Sequence, residues 1–176
     1  MSYICVCVSN PMRATKKGRL VSEWLDLPAT QEEIEETLAE IGVCDGKDDY
    51  FISDRETDNF DIPIDQFTDL KELNRLMVRI EAAGTDDYFK LAALIELEAP
   101  KSLTAIYGII DSRDDYDFLS EIQDDEALGR YFILECDMLQ GIPENEKYDC
   151  DFKAFGLHMR LKYEIKYTSF GAIYRK

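Results

Sequence analysis

The apolar pattern of this chain changes its period twice, and that alternation limits the fold more than any single motif. Tyr3 to Val8 is β-branched and apolar, with a break at Ser9-Asn10-Pro11; Gly18 to Leu27 reads as a second strand carrying the only tryptophan, Trp24. Thr30 with Glu33 makes a capping box, Ile34, Leu38 and Ile41 recur at helical spacing, and Gly42 stands where a C-terminal cap belongs. Tyr50-Phe51-Ile52 comes next as a third strand. Residues 1–60 are thus expected to form an α+β domain with a three-stranded antiparallel sheet. A unit of that size is small for an independent core and needs support from the neighbouring segment of the chain.

Residues 61–101 read as helical. Asp69 and Glu72 form a second capping box, Leu70, Leu73, Met77 and Ile80 make one stripe, and Thr85 to Glu98 is apolar almost all round before Pro100 stops it. Residues 102–176 mix the two periods again. Ser102 opens a helix to about Ile110, Tyr116 to Ile122 suggests a strand, and Asp124 to Glu135 and Asp151 to Tyr163 suggest helices. Short strands around Ile165–Tyr167 and Ala172–Tyr174 finish the chain. The expected class is α+β, built as three small domains: α+β, helical, α+β.

Charge is distributed as unevenly as period. Residues 26–152 carry a net charge of −25, the first 25 residues carry +3, the last 24 carry +5, and the whole chain carries −17. Ten Tyr and nine Phe set this apart from a disordered acidic tail, so the carboxylates lie on a folded body. Such a field repels nucleic acid and anionic membrane and attracts basic surfaces. No stretch approaches the ~20 apolar residues of a membrane span, and the first ten residues do not read as a signal peptide. The five cysteines, Cys5, Cys7, Cys44, Cys136 and Cys150, form no CxxC pair and read as reduced thiols of a cytoplasmic protein.

Catalytic signals are weak. His158 is the only histidine, and there is no GxSxG, P-loop or GxGxxG motif; no enzyme activity, cofactor or metal is expected. The stretch from Asp54 to Asp65 is the nearest approach to a calcium loop, but its last position is Asp rather than Glu and a strand leads into it.

Charge density says more than any one carboxylate. Glu32, Glu33, Glu35, Glu36 and Glu40 fall within about 12 Å of helix axis, a length over which duplex DNA shows roughly seven charges. Asp45, Asp48, Asp49, Asp54, Glu56 and Asp58 extend this first acidic zone. A second contains Asp111, Asp114, Asp115, Asp117, Glu121, Asp124, Asp125 and Glu126. Repulsion between like charges so spaced costs stability, which argues for a working surface, with a generic acidic or halophilic surface as the bland reading. The alternative is a general acidic module for some other basic DNA-binding protein.

Several stretches resemble the ArdA antirestriction family of plasmids and conjugative transposons. They are Gly18-Arg19-Leu20 with Trp24-Leu25-Asp26-Leu27, Glu32-Glu33-Ile34 leading to Ile52-Ser53-Asp54-Arg55-Glu56, and Leu73-Asn74. Near the end come Glu126-Ala127-Leu128-Gly129-Arg130-Tyr131 and Asp151-Phe152 with Ala154-Phe155-Gly156. Ser22 and His158 depart from the family pattern, which commonly has Gly and an acidic residue there. The resemblance implies an elongated homodimer joined through the C-terminal domains, whose carboxylates imitate DNA phosphates. It implies as partner the methyltransferase core of type I restriction-modification enzymes. The basic end after residue 152 fits a dimer seam, since an acidic end would repel its twin.

Overall fold

In a computed structural model the described residues are 4–43, 49–57 and 60–176, with only the backbone of Asp86. The chain divides into two compact units, Met1–Tyr88 with Ala99–Tyr107, and Phe89–Glu98 with Gly108–Lys176.

The first unit holds strands β1 (Ile4–Ala14), β2 (Leu20–Leu27) and β3 (Phe51–Thr57), and helices α1 (Gln31–Glu40) and α2 (Leu70–Ala82). The sheet is antiparallel in the order β2-β1-β3. Alternation along β1 sends Ile4, Val6 and Val8 to one face, where with Leu25, Leu27, Ile34, Ile41, Ile52 and the α2 stripe Leu70, Leu73, Met77 and Ile80 they are buried. Each such side chain contributes about 1.5–3 kcal/mol by leaving water. Cys5, Cys7 and Ser9 take the other face.

Two local features depart from the sequence reading. Pro11 does not end β1: the strand continues to Ala14, and its register against β2 slips between Asn10 and Ala14. Pro11 lies inside that irregular stretch, where its missing N–H removes no ladder bond. Buried Asn10 supplies the lost pairing, donating from Nδ2 to the Ile41 carbonyl (3.1 Å) and accepting the Met12 N–H at Oδ1 (2.8 Å). Strand β3 is also longer than Tyr50–Ile52 and runs on through Thr57, with a bulge at Ser53, whose hydroxyl bonds Ser9 (2.7 Å) and the Cys7 carbonyl (3.2 Å).

Helix α3 spans Gly84–Glu98 and α4 spans Leu103–Ser112. Leu91 to Ile95 are fully buried as expected, whereas Phe89 and Leu97 are exposed in part. The second unit has an antiparallel sheet of β4 (Tyr116–Ser120), β6 (Gly171–Arg175) and β5 (Lys166–Thr168), in that order. Helices α5 (Asp125–Arg130) and α7 (Phe152–Lys162) pack together, and one turn, α6 (Glu144–Lys147), precedes α7. Leu128, Phe132, Met159, Ile165 and Ala172 form the core. The helix expected to reach Glu135 widens after Arg130 into a π turn, Tyr131–Glu135, closed by the Cys136 N–H on the Tyr131 carbonyl at 3.0 Å.

Candidate functional site

The first acidic zone is built on α1. The Thr30 hydroxyl accepts the Glu33 N–H (3.2 Å), and the Glu33 carboxylate accepts the Thr30 N–H (2.7 Å) and hydroxyl (2.8 Å). Those bonds, the one from the Thr30 backbone foremost, hold Glu33 below the usual carboxyl range and keep it charged. Buried Ile34 and Ile41 turn one side of the helix to the sheet. At 100° per residue, Glu32, Glu36 and Glu40 then form a single row with Glu33 beside it, opposite those apolar anchors. All four are exposed, and Glu35 accepts the Gln31 amide at 2.6 Å. Among the described residues none of the five forms an ion pair. The negative end of α1 is covered instead by a cation from the N-terminal segment: the Arg13 guanidinium lies against Gly42, whose φ of +78° suits glycine and where any Cβ would strike it.

Asp49 is exposed at the chain position before Tyr50, whose hydroxyl accepts the Leu70 N–H at 3.3 Å. Asp45, Asp48 and Asp58 lie outside the described residues, as does Cys44. Asp54 and Glu56 are on β3, a strand paired to β1 rather than a cation-binding loop. With Asp26 of β2 they share the sheet face of Cys5 and Cys7: the register sets Cys5 between Asp26 and Glu56, and Cys7 between Trp24 and Asp54. The Cys5 thiol is pushed up to about 12, first by burial and then by its hydrogen bond to Asp26 and the two carboxylate charges. Cys5, Cys7, Cys136 and Cys150 are all unbridged.

The second zone is arranged differently, because cations of the same unit meet it. Asp125 accepts Arg160 Nε at 2.7 Å and the Tyr167 hydroxyl at 2.8 Å, and Arg160 foremost lowers its pKa. Burial and the Asp125 charge raise that of Tyr167. Asp115 faces Arg175 and Asp117 faces Lys176, each at 3.6 Å, and Glu126 pairs with Arg130 at 3.2 Å. Asp124 caps α5 by accepting the Ala127 N–H at 2.8 Å. Asp114 and Glu121 are exposed, as is Asp111 at the end of α4. Part of the basic C-terminal end therefore answers carboxylates within its own unit, a pairing that sequence distance concealed. The exposed pairs among these are worth little, about 0–1 kcal/mol each.

A family model described as antirestriction protein (ArdA) matches residues 7–174. The chain belongs to the ArdA antirestriction family. No curated protein matches it. Antirestriction is the function class that this membership gives.

Most of the ArdA motif residues have packing roles here. Asn74 clamps the backbone of Ala29, donating to its carbonyl (2.9 Å) and accepting its N–H (2.8 Å), and so ties α2 to the turn before α1. Leu128 is a core residue, and Tyr131 and Phe155 pack against that core. The Arg130 guanidinium lies 4.5 Å from the centre of the Phe152 ring. Gly129 and Gly156 let α5 and α7 touch backbone to backbone: a Cβ on Gly129 would come within 2.7 Å of the Phe152 carbonyl carbon, and one on Gly156 within 2.8 Å of the Gly129 nitrogen. Trp24, Asp26 and Asp54 are different, since all three are exposed. His158 is exposed on α7, and among the described residues no group of His, Cys, Asp and Glu could hold a metal ion. No helix among the described residues is long and apolar enough to cross a membrane.

Proposed function

We propose that this antirestriction protein works as an imitation of DNA, placing carboxylates where a type I restriction-modification enzyme expects phosphates. It occupies the DNA groove of the methyltransferase core and blocks the enzyme without chemistry of its own. The active form is a cytoplasmic homodimer joined through the C-terminal domains of an elongated three-domain chain. The observation that carries this reading is the α1 row of Glu32, Glu36 and Glu40 with Glu33 and Glu35, exposed and without ion pairs among the described residues. Glu32, Glu36 and Glu40 are four residues apart, about 6 Å along the axis, and with Glu33 and Glu35 the helix shows five charges over ~12 Å, a length over which duplex DNA shows roughly seven. Asp26, Asp54 and Glu56 add charge on the open face of the adjoining sheet.

The Lys and Arg side chains of a DNA groove would be met by many exposed carboxylates, each contributing little. Fluorescence anisotropy of labelled duplex bound to a type I methyltransferase tests this. Added protein should release the duplex at low salt, and the midpoint should move to higher concentration as salt is raised. Duplex that stays bound at low salt under excess protein refutes the reading.

A further inference from the structure

The first sheet turns one face into the core, and the register places three cross-strand rows on the other, which among the described residues no helix covers: Asp26–Cys5–Glu56, Trp24–Cys7–Asp54 and Ser22–Ser9–Phe51. At the centre of that face Cys7 and Ser9 are buried and Cys5 partly so, while Trp24 on edge strand β2 keeps 46% of its surface in water. Tryptophan is the ring that attracts cations best. Yet where this chain sets a cation over a ring it uses others: Arg79 over Tyr107 at 5.5 Å, Arg130 over Phe152 at 4.5 Å, Arg160 over Tyr167 at 5.8 Å and Lys162 over Tyr163 at 5.0 Å. Among the described residues no cation, ring or hydrogen-bond acceptor meets Trp24, and no cation pairs with Asp26, Asp54 or Glu56. The basic residues of the β1–β2 turn end at Arg19, five positions from Trp24 and so about 17 Å along the strand.

We propose that this open face is a docking surface for a basic protein, on which one arginine of the partner stacks over Trp24 and shares its charge with Asp26 and Asp54. Asp26 is two residues along the same face, about 7 Å away, and Asp54 is two strands across, about 10 Å away. A planar guanidinium matches that layout because it stacks on a ring while its N–H fork stays free for carboxylates. An uncharged apolar partner would bury three carboxylates without compensation, which charge complementarity forbids. The surface thereby gains a localised anchor, of the aromatic kind that dominates interfaces, within an otherwise diffuse field. The proposal rests on the reading that the partner presents a DNA-binding groove, and it adds a specific contact that phosphate imitation alone does not require.

The test uses the full chain with a type I methyltransferase and labelled duplex. Trp24→Leu should raise the concentration needed to displace the duplex about tenfold, with Trp24→Phe in between, following the cation affinity of the ring. Because Trp24 is the only tryptophan, 5-fluorotryptophan labelling gives a single fluorine resonance. That resonance should shift and lose its solvent isotope effect on saturation with the enzyme. If the unsubstituted protein displaces DNA while Trp24→Leu does so equally well, or the resonance does not move in the saturated complex, the docking surface is overturned and DNA mimicry stands. If the unsubstituted protein fails to displace DNA, both fall. Should Trp24→Leu fold poorly by circular dichroism, the phenylalanine variant and the fluorine spectrum still decide.

Discussion

Gly129→Ala sets two known effects against each other, and the sign of the result decides whether α5 and α7 meet backbone to backbone. In an open helix the change should stabilise by about 1 kcal/mol, the helix-propensity difference between glycine and alanine. Here the added methyl would lie 2.7 Å from the carbonyl carbon and 3.0 Å from the Cα of Phe152. Ordinary contact needs roughly 3.5–4.0 Å and the Phe152 carbonyl oxygen lies nearer still, so the helices must separate by more than about 1 Å. The opposing atoms are backbone and cannot rotate aside, which puts the cost near the upper end of the ~1–3 kcal/mol typical of overpacking. The net expectation is destabilisation by about 2 kcal/mol, or a melting temperature lower by about 4–8 °C in a chain of this size. Urea unfolding followed by circular dichroism measures it. Gly156→Ala should act similarly, and because a Cβ there would lie 2.8 Å from the Gly129 nitrogen, the two should not add. Once the helices are apart the second methyl costs less, so the double variant should fall short of the sum by ~1 kcal/mol. A Gly129→Ala protein more stable than the parent refutes the close crossing.

Glu36→Gln should change the midpoint of DNA displacement by no more than about twofold, since one exposed charge is worth a few tenths of a kcal/mol. Reversing Glu32, Glu35, Glu36 and Glu40 to Lys, while sparing the capping Glu33, should weaken it over about a hundredfold; a single neutral substitution with the larger effect would contradict a distributed surface. Asn74→Ala should cost about 1–3 kcal/mol in urea unfolding, because it strips the donor and the acceptor of Ala29 of their partners, and an unchanged midpoint would dispose of the clamp. Asp125 is held below the ordinary carboxyl range by Arg160, so its stabilisation is fully present above the unfolded value near ~3.9 and lost as pH falls through its lower folded value. Asp125→Asn should accordingly flatten the acid side of the stability profile below about pH 4; an acid limb of unchanged slope would count against the ion pair.

What the sequence made legible was whatever is encoded within a few residues. The Thr30–Glu33 box, Gly42 with positive φ after α1, the Ser102 cap (Ala105 N–H to its hydroxyl at 3.2 Å) and the α2 stripe were all readable locally. At α2 only the Asp69 arm of the expected box is made, at 2.8 Å to the Glu72 N–H. Pro11 misled because its usual meaning as a strand breaker is overridden by Asn10, whose partner Ile41 is 31 residues away. The second acidic zone looked like the first because Asp125 and Arg160 stand 35 residues apart, and only the α5–α7 crossing brings them together. Gly129 and Gly156 carried no local sign of their role for the same reason. The exposure of Trp24 was equally out of reach, since alternation names the face of a strand but not which face the helices cover.

If the protein competes for the DNA groove, a duplex titration repeated at several fixed protein concentrations will show it. The apparent dissociation constant of labelled duplex for a type I methyltransferase should rise linearly with added protein, saturating duplex should restore full binding, and the effect should weaken as salt is raised. An amplitude that falls while the duplex affinity stays constant would place the protein elsewhere on the enzyme and rule out competition for the groove.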